Sequence, residues 1–310
     1  METQTAVKPH TAIIFPGQGA QTPGMGQDFY ENSDAAKRVY EEASEATGLD
    51  LMELCFTEND RLNLTEYTQV ALMTTEIAMF EALREKGIEA EVYAGLSLGE
   101  YSALVAAGSM DIKTAAKLTR KRGILMQNTV PAGQGGMAAV MGMEDAKIAE
   151  ICSQTDGIVE IANYNSPAQT VISGEKEAVL NAKEKLLEAG CKRVVELNVS
   201  GPFHSSMLKP AGEELFEHLK EVDLKPLKTP YVTNVTASYI EDISQTKELL
   251  GKQVYSSVRW YQSIEEMIRH GVTSFIEVGP GRTLAGFNKR IAKEITTVNI
   301  QKIEDLEQFA

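Results

Sequence analysis

Apolar and polar positions follow two rhythms along this chain. Short runs of apolar and β-branched residues, TAIIF (11–15), VYAGL (92–96), PYVTNV (230–235), SFIEV (274–278) and TTVNI (296–300), read as strands. Between them lie segments with helical spacing. SDAAKRVYEEASEATG opens on Ser33 as N-cap and closes at Gly48, and TEYTQVALMTTEIAMFEALREKG runs to Gly87. Strands alternating with helices predict an α/β fold with a mostly parallel sheet.

The rhythm changes at PAGQGG (131–136), a flexible break. After it, MAAVMG, MEDAKIAEICSQT, VEIANYN, QTVISG, EKEAVLNAKEKLLEAG and KRVVELNV read as β-α-β-β-α-β, with Ser166-Pro167 splitting the central strands. That is the ferredoxin-like order. An inserted subdomain is therefore expected at about 129–199, with 1–128 and 200–310 forming one larger discontinuous unit. A cleft between the two is a natural substrate site. No solenoid-type repeat or low-complexity tract interrupts the pattern.

Composition adds exclusions. The 310 residues, 43% hydrophobic and 24% charged, suit a globular protein with a sizeable core. METQTAVKPHTAIIF lacks the layout of a secretory signal, and no apolar run approaches a membrane span, so a cytoplasmic protein with no membrane contact is expected. Cys55, Cys152 and Cys191 are odd in number and far apart, which fits buried thiols rather than disulfides or a CxxC site. A net charge of -14 argues against nucleic acid as a partner. An anionic partner would need a local basic patch.

Candidate chemistry begins at GLSLGE (95–100). G-x-S-x-G between a strand and a helix is the pattern of a nucleophile elbow, in which Ser97 is lifted above the sheet edge. Read blandly, the same residues are a helix entry with serine as N-cap. A serine nucleophile needs a base, and the chain has four histidines. His10 lies in a polar segment, His218 in a helical pattern with a solvated face, and His270 at a helix end. His204, on the constrained loop SGPFHSS, is the candidate base. No acidic residue stands out as a third triad member, which leaves a dyad oriented by a carbonyl. FPGQGAQTPG lacks the third glycine of a dinucleotide fingerprint. It is read either as a plain tight turn or as a source of N–H groups for an oxyanion, together with the N–H of Leu98.

One charge is out of place. In KTAAKLTRKRGILMQNTV, Leu118, Arg122 and Leu125 share an apolar stripe while Lys117, Arg120 and Lys121 reach solvent. A guanidinium facing the core needs an anion. Spacing alone leaves two readings open: an internal salt bridge, slightly favoured, or a clamp for a substrate carboxylate.

FPGQGAQ, GLSLGEYSAL, RGILMQ, PFHSSML, KQVYSSVRW and VGPGRTL occur in this order between about residues 11 and 303. The ensemble resembles the malonyl-CoA:acyl carrier protein transacylase family, the stand-alone acyltransferases of dissociated fatty acid synthesis. The resemblance implies a hydrolase-like larger subdomain with a ferredoxin-like insert. It implies Ser97 as nucleophile, His204 as base, and backbone N–H groups of Gln18 and Leu98 as oxyanion hole. Arg122 would bind the malonyl carboxylate, and Gln253 would help orient His204. Ping-pong transfer from malonyl-CoA to holo acyl carrier protein would follow, with the CoA thioester as substrate and no cofactor or metal. A monomer is expected.

Leu96 departs from the histidine that many members carry before the serine, while Phe203 resembles the bulky form of malonyl-selective relatives. Candidate basic patches for an acidic carrier are Lys117, Arg120 and Lys121, and Arg282, Lys289 and Arg290. Two competitors share these residues: a serine hydrolase such as a thioesterase, and a non-catalytic carrier-binding protein of the same fold.

Overall fold

The structure is a computed structural model, and it describes residues 10–199 and 201–309. Residues 1–9, read above for a leader layout, and position 200, at the expected subdomain boundary, lie outside the described residues. These form two sheets. The strands are β1 (Thr11–Phe15), β2 (Val92–Gly95), β3 (Gly135–Met141), β4 (Val159–Ser166), β5 (Gln169–Glu175), β6 (Arg193–Glu196), β7 (Tyr231–Val232), β8 (Tyr239–Ile240), β9 (Ser274–Val278) and β10 (Thr296–Ile300).

The larger sheet has the order β10-β9-β1-β2-β7-β8 and is parallel except for the final β7-β8 hairpin. Pairing of Ala12 with Val92 through Phe15 with Gly95 keeps β1 and β2 in register, so both end at the same sheet edge. β1 is also where the chain order reverses, with β2 on one side and β9 on the other. Ligands of open α/β sheets bind outside the strand C-termini at such a point. The smaller sheet, β4-β5-β3-β6, is antiparallel, the ferredoxin-like arrangement expected from the sequence.

Local chemistry sets the helices. Ser33 accepts from the Ala36 N–H and Gly48 closes the helix Asp34–Thr47 in the left-handed region. Asp111 caps Ile112–Asn128 by accepting from Thr114 N–H. The helix Thr65–Glu85 is buried along most of its length, which places Gln69 and Glu76 in the interior. One strand is shorter than its pattern predicts: PYVTNV forms a strand only at Tyr231–Val232. Asn234 leaves the ladder because its side chain and main chain are bonded to the turn after β2.

The subdomains are stapled by the segment after Gln253. Val258 donates to Ala162 O and accepts from Tyr164 N–H, so this segment pairs with β4. No helix among the described residues is long and apolar enough to cross a membrane. All three cysteines are buried and free.

Candidate active site

The turn after β2 carries Ser97 at φ +54°, in the left-handed region. Gly95 and Gly99 make that turn feasible. A Cβ on Gly95 would sit 1.9 Å from Gly99 C, and one on Gly99 would sit 2.3 Å from Phe15 O. The strained serine is held on both sides of its backbone. Its N–H donates to Asn234 Oδ1 (2.6 Å), and its carbonyl accepts from Gln253 Nε2 (2.8 Å). Such a conformation costs about 1–3 kcal/mol and persists only where its surroundings fix it.

His204 lies opposite, also in the left-handed region at φ +58°. Ser97 Oγ stands 2.7 Å from His204 Nε2, and His204 Nδ1 stands 2.8 Å from the main-chain carbonyl of Gln253. A carbonyl only accepts, so Nδ1 carries the proton and Nε2 is left as an acceptor. Burial and then the charge of Arg122 lower the imidazole pKa to about 4, against backbone hydrogen bonds at Gln253 and Ser256. His10 instead pairs with Glu91, His218 with Glu214, and His270 bonds the Glu266 carbonyl at a helix end.

Arg122 is buried at 1% exposure. Its Nη1 donates to Gln69 Oε1 (2.8 Å), and its Nη2 to Gln253 Oε1 (2.9 Å) and Ser97 Oγ (3.0 Å). The internal salt bridge favoured from spacing does not form: these acceptors are neutral, and no carboxylate among the described residues pairs with the guanidinium. Burial lowers its pKa, with Tyr101 and Glu100 opposing.

Ser97, His204 and Gln69 border a cavity of ≈ 240 Å³, and Arg122 lies behind Ser97 and Gln69, bonded to both. The loops after β1 and β2 supply Gln18, Leu96 and Ser97, the helix that follows β9 supplies Thr283, and the smaller subdomain supplies Asn163 and Asn165. Phe203 also lines it. The FPGQG loop lies tight against the elbow, since a Cβ on Gly17 would come 2.5 Å from Leu96 O. Neither the Gln18 N–H nor the Leu98 N–H has an acceptor among the described residues.

Sequence reasoning missed Asn234, Gln69 and Glu100. Glu100 is fully buried, and its Oε2 accepts from Gln253 Nε2 (2.7 Å) and Asn234 N–H (3.1 Å). The signal was Glu100 as the one charged residue of GLSLGEYSALVA.

The two basic patches differ. Arg120 is paired with Glu66 and Lys121 with Glu214. Arg282, Lys289 and Arg290 are exposed without an ion pair among the described residues, on the segment whose Thr283, Leu284 and Phe287 line the cavity.

An α/β sheet with a cavity at its switch point, bordered by a serine and an imidazole, with a buried cation bonded to that serine, fits one class: an acyltransferase. The chain matches the family described as Acyl transferase domain over residues 12–304. It is 44% identical over 300 residues to the malonyl CoA-acyl carrier protein transacylase of Bacillus subtilis, covering 96% of this chain and 95% of that protein. The crystal structure of the enzyme of that name from Clostridium perfringens superposes with a TM-score of 0.93 at 43% identity, over 96% of this chain and 95% of that one. A malonyl-transacylase in complex with its type II PKS acyl-carrier protein superposes with a TM-score of 0.94 at 37% identity, over 97% of this chain and 98% of that one. The chain belongs to the acyl transferase family, among the malonyl CoA-acyl carrier protein transacylases.

Proposed function

We propose that the protein moves a malonyl group from malonyl-CoA to the phosphopantetheine thiol of holo acyl carrier protein, through a malonyl ester on Ser97, supplying extender units for fatty acid synthesis. The observation that carries this is Arg122, a buried guanidinium bonded to neutral oxygens beside the candidate nucleophile. A substrate carboxylate supplies the anion this cation lacks, in the geometry guanidinium favours.

Ser97 Oγ attacks the thioester carbonyl as His204 Nε2 takes its proton. The carbonyl electrons move onto oxygen, where the N–H groups of Gln18 and Leu98 receive the developing charge. Collapse of the tetrahedral intermediate breaks the C–S bond, and CoA leaves with the proton from His204. The ester oxygen is a poor acceptor, so Arg122 Nη2 is released from it toward the malonyl carboxylate. In the second half, the carrier thiol yields its proton to His204 and attacks the ester, and Ser97 departs with that proton.

Each step is ordinary acid–base and acyl chemistry, so no metal or redox cofactor enters the scheme. Phe203 and Leu96 line the cavity with apolar surface, and the bulk of Phe203 favours malonyl over branched acyl groups. The exposed Arg282, Lys289 and Arg290 are the docking face for an acidic carrier. We take the enzyme to act as a cytoplasmic monomer.

Intact mass after mixing with malonyl-CoA tests the intermediate. A malonyl adduct in wild type, lost in Ser97→Ala and discharged by holo carrier protein, is expected. Free malonate as the main product would replace transfer by hydrolysis.

A further inference from the structure

Glu100 closes the motif that carries Ser97, yet no step above uses it. It is fully buried at the start of the helix Gly99–Ala106 and does not touch His204. Its Oε2 receives two hydrogen bonds, from the side-chain nitrogen of Gln253 and the main-chain N–H of Asn234.

The two ends of a glutamine amide have nearly the same shape, so its orientation is set by its partners. A carboxyl oxygen at 2.7 Å calls Gln253 Nε2 toward Glu100, which turns Oε1 to Arg122 Nη2. The same Nε2 reaches the Ser97 carbonyl. With the amide reversed, Arg122 would face a donor and the Ser97 carbonyl an oxygen. Asn234 depends on the same carboxyl through its main chain, and its side chain bonds Ser97 N–H and Gly95 O. Both residues that grip the strained serine thus hang on one oxygen of Glu100.

We propose that Glu100 is a positioning residue: as a hydrogen-bond acceptor it sets the orientation of Gln253 and Asn234, and through them the alignment of Ser97 and Arg122. This rests on Ser97 being the acylated residue. It places the acid that a triad would put on the imidazole one residue further away, acting through Gln253. Burial pushes the Glu100 carboxyl up to about 7, against the nearby Thr233 hydroxyl, the hydrogen bonds from Asn234 and Gln253 and the charge of Arg122. Both bonds need only an acceptor oxygen, which a neutral amide also offers.

The test is the single-turnover rate of Ser97 acylation by malonyl-CoA in full-length Glu100→Gln, Glu100→Asp and Glu100→Met, with thermal unfolding as the check on folding. Glutamine keeps an oxygen at the same reach, and its rate is expected within about threefold of wild type, near 0.65 kcal/mol. Aspartate withdraws the oxygen and methionine removes it at similar volume. Acylation in either, once shown to be folded, is expected to fall by about 100-fold, the scale of an ångström-sized misplacement. Loss in Glu100→Gln, or rates near wild type in a folded Glu100→Asp or Glu100→Met, overturns the proposal. A wild-type protein that forms no adduct overturns the Ser97 reading instead, and is recognised before any variant is compared.

Discussion

Arg122 Nη2 lies 3.0 Å from Ser97 Oγ, so the buried cation contacts the oxygen expected to carry the acyl group. The contact ties acyl selectivity to one side chain. Arg122→Ala removes the partner of the malonyl carboxylate, and truncating one member of a buried charge pair costs about 2–5 kcal/mol. Malonyl transfer is expected to fall by about 30-fold or more. Acetyl transfer, which brings no charge into the cavity, is expected to be retained or raised. Competition between malonyl-CoA and acetyl-CoA, read by intact mass, checks this. Equal losses for both would make Arg122 a structural residue.

The acid side of the pH profile follows from His204. Its pKa is lowered to about 4, so the imidazole stays neutral and able to take the Ser97 proton down to that region. Acylation is expected to be lost as pH falls through about 4, not through the usual 6.5. Stability moves with the same group. The unfolded chain binds the proton more readily between 6.5 and about 4, so the contribution of His204 is present above 6.5 and lost as pH falls across that window. Glu100 has the opposite sign: its raised pKa gives stability present below 4.5 and lost as pH rises through about 7. Denaturation of wild type and Glu100→Gln at several pH values separates the two, because only wild type should lose stability from this group as pH rises from 4.5 to about 7.

What the sequence revealed depended on whether the physics was local. Ser97 and His204 were legible because an elbow needs glycines at fixed spacing and few histidines competed for the role of base. Arg122 was legible as a charge on an apolar stripe, but its neighbours were not. Gln69 and Gln253 come from segments 53 residues before and 131 residues after it, and no periodicity reports such contacts. Asn234 was hidden inside an apparent strand, which ends early because its side chain serves the turn after β2. Glu100 stood in plain view, yet an acid in the first turn of a helix has a sufficient local explanation in the helix dipole.

Gly17→Ala tests the FPGQG loop. The added Cβ would meet Leu96 O at 2.5 Å, so the loop must retreat from the elbow and take the Gln18 N–H with it. Removing one oxyanion donor costs about 100- to 1,000-fold in kcat. A displaced donor should lose a large part of that, with KM for malonyl-CoA little changed. Steady-state kinetics decide: a raised KM at constant kcat would mean that the loop binds substrate and does not stabilise charge.

Carrier docking separates the two basic patches. Arg120 and Lys121 already have acidic partners, whereas Lys289 and Arg290 are exposed on the helix Thr283–Ile291, whose first residues reach the cavity. An acidic carrier gains most from cations that are not already neutralised, and steering of this kind weakens as salt rises. Lys289→Glu with Arg290→Glu is therefore expected to raise KM for carrier protein by about tenfold, the scale of 1.4 kcal/mol. The rate of Ser97 acylation from malonyl-CoA should not change, because neither residue lines the cavity. Arg120→Gln with Lys121→Gln should leave carrier KM within about twofold, since charges already paired with Glu66 and Glu214 contribute little. If this second pair weakens transfer to the carrier and the first does not, the carrier docks on the helix Ile112–Asn128 instead.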